Sequence, residues 1–141
     1  MQCLFCGIVN KEVEASIVFE DDMSLAFLDH RPLFPGHCLL VPKNHFETLS
    51  ELPTGLVGPF FTNVQLLARA VELALGAEGS FVAMNNRVSQ SVPHLHVHIV
   101  PRRKKDGLKG FFWPRNKYES AAHAVEVQKS IKAAITTIQK H

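Results

Sequence analysis

Three histidines, His94, His96 and His98, stand at every second position of the stretch HLHVHIV. In an extended chain alternate side chains point to opposite faces, so the three imidazoles share one face with neighbours about 6.6 Å apart. Grouped imidazoles offer two kinds of chemistry. A neutral ring nitrogen ligates a metal, or it attacks phosphorus while the other nitrogen is protonated and held by an acceptor. The plain alternative is a row of solvated histidines, but strict alternation among Leu95, Val97 and Ile99 is an unusual way to build one. Just upstream, Asn85, Gln90 and Ser91 bring neutral donors suited to phosphate oxygens, which favours phosphoryl over acyl chemistry. There is no G-x-S-x-G elbow and no Gly-rich loop ending in Lys-Ser/Thr, so neither a serine hydrolase nor a P-loop nucleotidase is indicated.

A second cluster of reactive types opens the chain. Cys3-x-x-Cys6 is half of a metal site or a redox pair, and two ligands do not complete a site. Cys38, between His37 and Leu39, reads as a small core residue. Arg102, Arg103, Lys104 and Lys105 read as a solvated basic run able to draw polyphosphates.

The elements that position these residues follow from pattern. SIVFEDDMSLAFLD reads as a hairpin turning at Glu20, Asp21 and Asp22, and CLLVP as a third, buried strand closed by Pro42. Apolar residues recur at helical spacing from Pro59 to Leu75, with Gly76 as the stop. SFVAMN and HLHVHIV give two more strands, joined by the loop NRVSQSVP. A C-terminal helix spans 120–141, after an irregular segment 102–119 in which Phe111, Phe112 and Trp113 need an apolar cover such as another subunit. The expectation is one α+β domain over residues 1–141, with five closely spaced, antiparallel strands.

Composition narrows the partners. Fifteen Lys and Arg against thirteen Asp and Glu leave a net charge of +2 over 141 residues, which is no footprint of a dedicated nucleic-acid binder. Neither a membrane span nor a secretory signal pattern is present, and the cysteine usage suits a reducing compartment, so a cytoplasmic location is expected.

The stretch HLHVHIVPR resembles the signature of the histidine triad (HIT) family, in which three histidines alternate with apolar residues. PGHCLLVPKNH is similar to the family's upstream element, and CLFCGIVNKEVEASIVFEDDMSLAFLD and DGLKGFFWPR extend the likeness over most of the chain. The resemblance implies a nucleotide-binding α+β fold with a five-stranded antiparallel sheet, a long central helix and a C-terminal helix, in a homodimer with a continuous sheet. It implies cleavage at the α-phosphate of dinucleoside polyphosphates or adenosine phosphoramidates through a nucleotidyl-histidine intermediate. His96 would be the nucleophile, with His37, His94 and His98 completing the catalytic set. Asp29 would accept hydrogen bonds from ribose hydroxyls, and Phe5, Ile8, Phe27 and His30 would form a slot for the base, although for Phe5 and Phe27 a core position is an equal alternative. Gln90 and Ser91 fall on the family's phosphate-contact segment, and Asn85 on its upstream asparagine. Some bacterial members hold a structural zinc, and the matching ligands here are Cys3, Cys6, His45 and His94; no organic cofactor is implied. One departure is VSQS, where Ser89 replaces a glycine and the loop is about two residues shorter; a side chain there limits how closely backbone approaches a ligand. A nucleotide-binding regulatory dimer and a catalytic-zinc metallohydrolase are the competing functions.

Overall fold

The computed structural model describes residues 3–108 and 115–140. The hairpin forms as its pattern predicts: β1 (Ile17–Glu20) and β2 (Ser24–Leu28) pair antiparallel. Asp21 closes the turn by accepting the backbone N–H of Met23 and of Ser24 at 3.0 and 2.8 Å, an Asx-type use of a short acidic side chain. β3 (Cys38–Pro42) lies beside β2, β5 (Val97–Arg102) beside β3, and β4 (Gly79–Ala83) beside β5. The resulting order is β1-β2-β3-β5-β4, antiparallel throughout. This is the α+β arrangement expected from the strand spacing.

Both faces of the sheet are covered, which explains why β3 is buried at every position instead of alternating. On one face Ala26, Cys38, Leu40, Val97 and Ile99 pack against Phe60, Val64, Leu67 and Val71 of α2 (Thr54–Leu75). Cys38 is a core residue, as its sequence context suggests. On the other face Leu25, Phe27, Leu39 and Val41 receive Phe5 and Ile8 of a short helix, α1 (Leu4–Val9).

Three boundaries differ from the sequence reading. The helix expected from Pro59 begins at Thr54, so Pro59 lies inside α2. The missing N–H would have bonded to Gly55 in the first turn, and the long buried stripe beyond outweighs that loss. Gly76 ends the helix in the left-handed region, φ 59°, as expected of a C-terminal glycine. The histidine strand starts at Val97 and not at His94: before it, His94 sits in a bend, its N–H bonded to the Val92 carbonyl at 2.8 Å, and the backbone N–H of Leu95 bonds to the Phe46 carbonyl at 2.6 Å, so His94 to His96 lie outside the ladder. α1 was not expected at all.

Residues 3–106 make one compact unit, and those from Gly107 a second. The second carries α3 (Ala121–Gln139), whose start is capped by the Ser120 hydroxyl accepting the His123 N–H. Phe111, Phe112, Trp113 and His141 lie outside the described residues. Among the described residues no helix is long and apolar enough to cross a membrane.

Candidate active site and metal centre

The tautomers of the histidines follow from their partners. His96 is 3% exposed, and its Nδ1 lies 2.7 Å from the carbonyl oxygen of His94. A carbonyl only accepts, so Nδ1 carries a proton, and in the neutral ring the free lone pair is on Nε2. His37 Nδ1 accepts the backbone N–H of Leu33 at 3.0 Å, which puts its proton on Nε2. That N–H points at Nδ1 of His98, 3.0 Å away, leaving the proton of neutral His98 on its own Nε2. The His98 ring lies 5.1 Å from that of His96, centroid to centroid. His37 and His98 are thus oriented as a hydrogen-bonded pair beside His96, whose Nδ1 is held by the His94 carbonyl.

Burial favours the neutral forms of His37 and His98. It pushes the pKa of His98 down to about 4, with His96 and His37 adding to the effect, and lowers that of His37 against the opposing pull of Asp29. A depressed folded-state pKa means that the unfolded chain takes up these protons first as pH falls. The stability contribution is therefore fully present above about pH 6.5 and is lost as the pH drops toward about 4. For His98, after allowance for screening by solvent, the expected loss is about 2 kcal/mol. Urea midpoints of metal-free protein at pH 7 and pH 4.5 measure it, and His98→Asn is expected to shrink the difference.

His94 has a different task. It is fully buried, its Nε2 donates to the Pro42 carbonyl at 2.8 Å, and its Nδ1 faces Cys3 Sγ at 3.3 Å and Cys6 Sγ at 3.6 Å. His45 Nδ1 is 3.3 Å from Cys6 Sγ. All four donor atoms lie within 4.8 Å of one another. A tetrahedral zinc with normal bond lengths spaces S and N ligands roughly 3.5 Å apart, so this set fits the ion. The Pro42 carbonyl fixes the His94 tautomer with Nδ1 free, the usual outer support of a ligating histidine. Both ring nitrogens of His94 are thereby committed; what it offers His96 is its backbone carbonyl.

A groove of about 950 Å³ is lined in part by Ile8, Phe27, Asp29 and His30, and by none of His37, His94, His96 or His98. Asp29 joins the two regions: its Oδ1 accepts the Arg31 N–H at 2.9 Å and its Oδ2 lies 3.7 Å from His37 Nε2. The volume suits a nucleoside-sized ligand.

The sequence profile of the HIT domain matches residues 10–105. The chain belongs to the HIT family. This HIT protein is 32% identical over 141 residues to an adenylylsulfatase of Arabidopsis thaliana, covering 99% of this chain and 68% of that protein. It is 35% identical over 116 residues to an adenosine 5'-monophosphoramidase of Schizosaccharomyces pombe, covering 81% and 84% respectively. Among solved structures it is similar to a zinc-bound histidine triad protein of Mycobacterium smegmatis, with TM-score 0.73 and 37% identity over 82% of this chain and 85% of that one.

Not every residue singled out in the HIT sequence lies where the resemblance places it. Phe5 is absent from the groove lining and packs edge-on against His96, ring centroids 5.0 Å apart. Phe27 both lines the groove and touches Phe5. Gln90 is engaged within the loop: its Nε2 donates to the Glu47 carbonyl at 2.7 Å and its Oε1 accepts the Arg87 N–H at 2.8 Å. Asn85 bonds to the Ser89 carbonyl, and Ser91 is exposed. In the basic run, Arg102 pairs with Asp106 at 2.6 Å and Arg103 donates to the Leu75 carbonyl. Sequence reasoning missed the groove residues Leu4, Lys11, Val13 and Glu14, which carry no periodic or catalytic pattern.

The altered HIT loop has a structural signature. Ser89, standing where the family has glycine, adopts φ 62°, a region costly for any residue with a Cβ. Ser89→Gly is expected to stabilise the protein by about 0.5–1 kcal/mol, the relief of strain exceeding the added freedom of the unfolded chain. A rise of a few degrees in Tm measures it.

Proposed function

We propose that this protein cleaves adenylylated substrates at the α-phosphate, with His96 as nucleophile and with hydrolysis or nucleotidyl transfer as the outcome. The observation that carries the reading is the His96 Nδ1 to His94 carbonyl bond, which in the neutral ring puts the nucleophilic lone pair on Nε2. In the first step Nε2 bonds to the α-phosphorus while the phosphorus–oxygen or phosphorus–nitrogen bond breaks, and the leaving group departs with that electron pair, taking a proton from solvent where, as for an amine, its basicity requires one. Water or another acceptor then attacks the same phosphorus and the imidazole leaves, restoring Nε2. The remaining N–H of His98 serves as a donor to the phosphoryl group, His37 holds the His98 tautomer, and Asp29 receives the ribose hydroxyls at the groove's end. Ile8, Phe27 and His30 form the base slot. The relatives' names support this substrate class. Gln90, whose amide keeps a second N–H beyond its bond to the Glu47 carbonyl, and Ser91 donate to the phosphate oxygens, with Asn85 supporting the loop.

Zinc on Cys3, Cys6, His45 and His94 fits a closed structural site, since four protein ligands leave no position for water. A catalytic metal on the second donor group, Asp29, His37 and His98, is the alternative. The Leu33 N–H donated to His37 Nδ1 weighs against it, because that tautomer has a proton on the very nitrogen that would face the ion. The homodimer implied by the family belongs to this proposal as well.

Rapid acid-free quenching with adenylyl sulfate, adenosine phosphoramidate and a dinucleoside polyphosphate is expected to trap a base-stable, acid-labile nucleotidyl adduct on His96. Turnover of these substrates without any adduct, and its loss on metal removal from protein that stays folded, would establish the metal alternative. Tight nucleotide binding without turnover of any of them would establish a regulatory dimer.

A further inference from the structure

His96 lies between two rings and one carbonyl. The carbonyl of His94 fixes which nitrogen is protonated, but it does not fix the plane of the imidazole, because the terminal torsion of histidine is broad and roughly two-fold. Packing must set that plane. The His98 ring meets it at 5.1 Å and 65°, and the Phe5 ring meets it at 5.0 Å and 81°. Phe5 is 5% exposed, and it is wedged by further edge contacts to Phe27 at 5.4 Å and to His94 at 6.0 Å.

The element that carries Phe5 is a single six-residue helix, far too short to persist without tertiary support. Part of that support is the apolar cluster of Ile8, Leu25, Leu39 and Val41. The rest is the sulfur group: Cys3 Sγ accepts the Cys6 N–H at 3.4 Å to begin the helix, and both sulfurs face His94. Phe5 lies between the two cysteines in sequence, so the same turn of backbone presents thiols to one histidine and an aromatic edge to the next.

We propose that Phe5 is a positioning residue for His96, and that ligation of Cys3 and Cys6 tightens the helix that holds it, so that occupancy of the Cys/His cluster governs how the imidazole is presented. The inference rests on the reading of His96 as nucleophile only for its kinetic consequence. The ring's geometry is independent of it.

The test reads the ring directly. In zinc-loaded, 15N-labelled protein, long-range 1H–15N correlations of His96, assigned by their disappearance in His96→Asn, are expected to report one Nδ1–H tautomer with narrow lines. Phe5→Ala is expected to give averaged or broadened ring nitrogens, with kcat down about 10- to 100-fold, the scale of a 1 Å misplacement, and KM within about two-fold. Phe5→Leu, which keeps most of the buried volume, is expected to recover most of both. Chelating the zinc from native protein is expected to broaden the same signals, although no ligand atom touches the His96 ring.

A narrow, single-tautomer His96 in Phe5→Ala protein that keeps its zinc and its melting transition would overturn the proposal. If Phe5→Ala does not fold, chelation decides, and His96 signals unaltered on removal of zinc from folded native protein would overturn it equally. Absence of a nucleotidyl adduct in native protein would remove the catalytic reading alone, because the spectra judge the positioning separately.

Discussion

His96→Asn is expected to lower kcat/KM for adenylylated substrates by at least about 10⁴-fold, or about 5.5 kcal/mol of transition-state stabilisation. The asparagine amide can still donate to the His94 carbonyl, but no nitrogen with an available lone pair remains to bond phosphorus. The loss falls on kcat, since the groove and Asp29 are untouched, and the trapped adduct vanishes. Because the native ring is 3% exposed and packs on Phe5 and His98, the smaller side chain also leaves a gap costing on the order of 1–2 kcal/mol of stability. Fold loss and activity loss therefore separate cleanly: single-turnover rates report the first-step chemistry, and thermal melting reports the gap. A His96→Asn enzyme within ten-fold of native kcat/KM would eliminate covalent catalysis at this position.

Removal of zinc is expected to lower Tm by about 12 °C. Free ion at 1,000 times its Kd contributes about 4 kcal/mol to the folded state, and about 3 °C per kcal/mol is appropriate for a chain of this size. The donors come from three distant places: Cys3 and Cys6 on α1, His45 just after β3, and His94 ahead of β5. Closing such long loops is where a crosslink restricts the unfolded chain most. The cluster of α2 against the sheet does not depend on these ligands, so the metal-free protein remains folded and melts earlier. Scanning calorimetry with zinc and with chelator measures the shift, and Cys6→Ser is expected to abolish it. A melting temperature indifferent to zinc in native protein would show that the four side chains do not act as a site.

The parts legible in the sequence were those with a period or a fixed spacing. The hairpin turn at Asp21, the stripe from Phe60 to Val71 and the stop at Gly76 each announce themselves through a local rule, and the structure places them accordingly. The four-ligand set was not derivable from spacing. It became legible through the resemblance, and the geometry then brought the atoms within 4.8 Å. What stayed hidden depends on contacts between distant segments. α1 is six residues long and contains Gly7, so neither periodicity nor propensity marks it. Its existence follows from burying Phe5 and Ile8 on a sheet face that alternation alone would leave open. The start of β5 was misplaced because the alternation of His94 to His98 looks identical whether the backbone pairs with a strand or, as Leu95 does, with the Phe46 carbonyl. Gln90 and Asn85 have the chemistry of phosphate ligands, yet composition says nothing about the loop carbonyls that claim them first.

The division of labour within His94 has a corollary. Its imidazole answers to the cysteines, whereas its peptide oxygen answers to the next histidine but one, and a peptide oxygen comes with any amino acid. Loss of both thiols therefore removes the metal's claim on this imidazole and leaves the bond from its peptide oxygen to His96 in place, while the ring keeps its packing on Phe5 and its bond to Pro42.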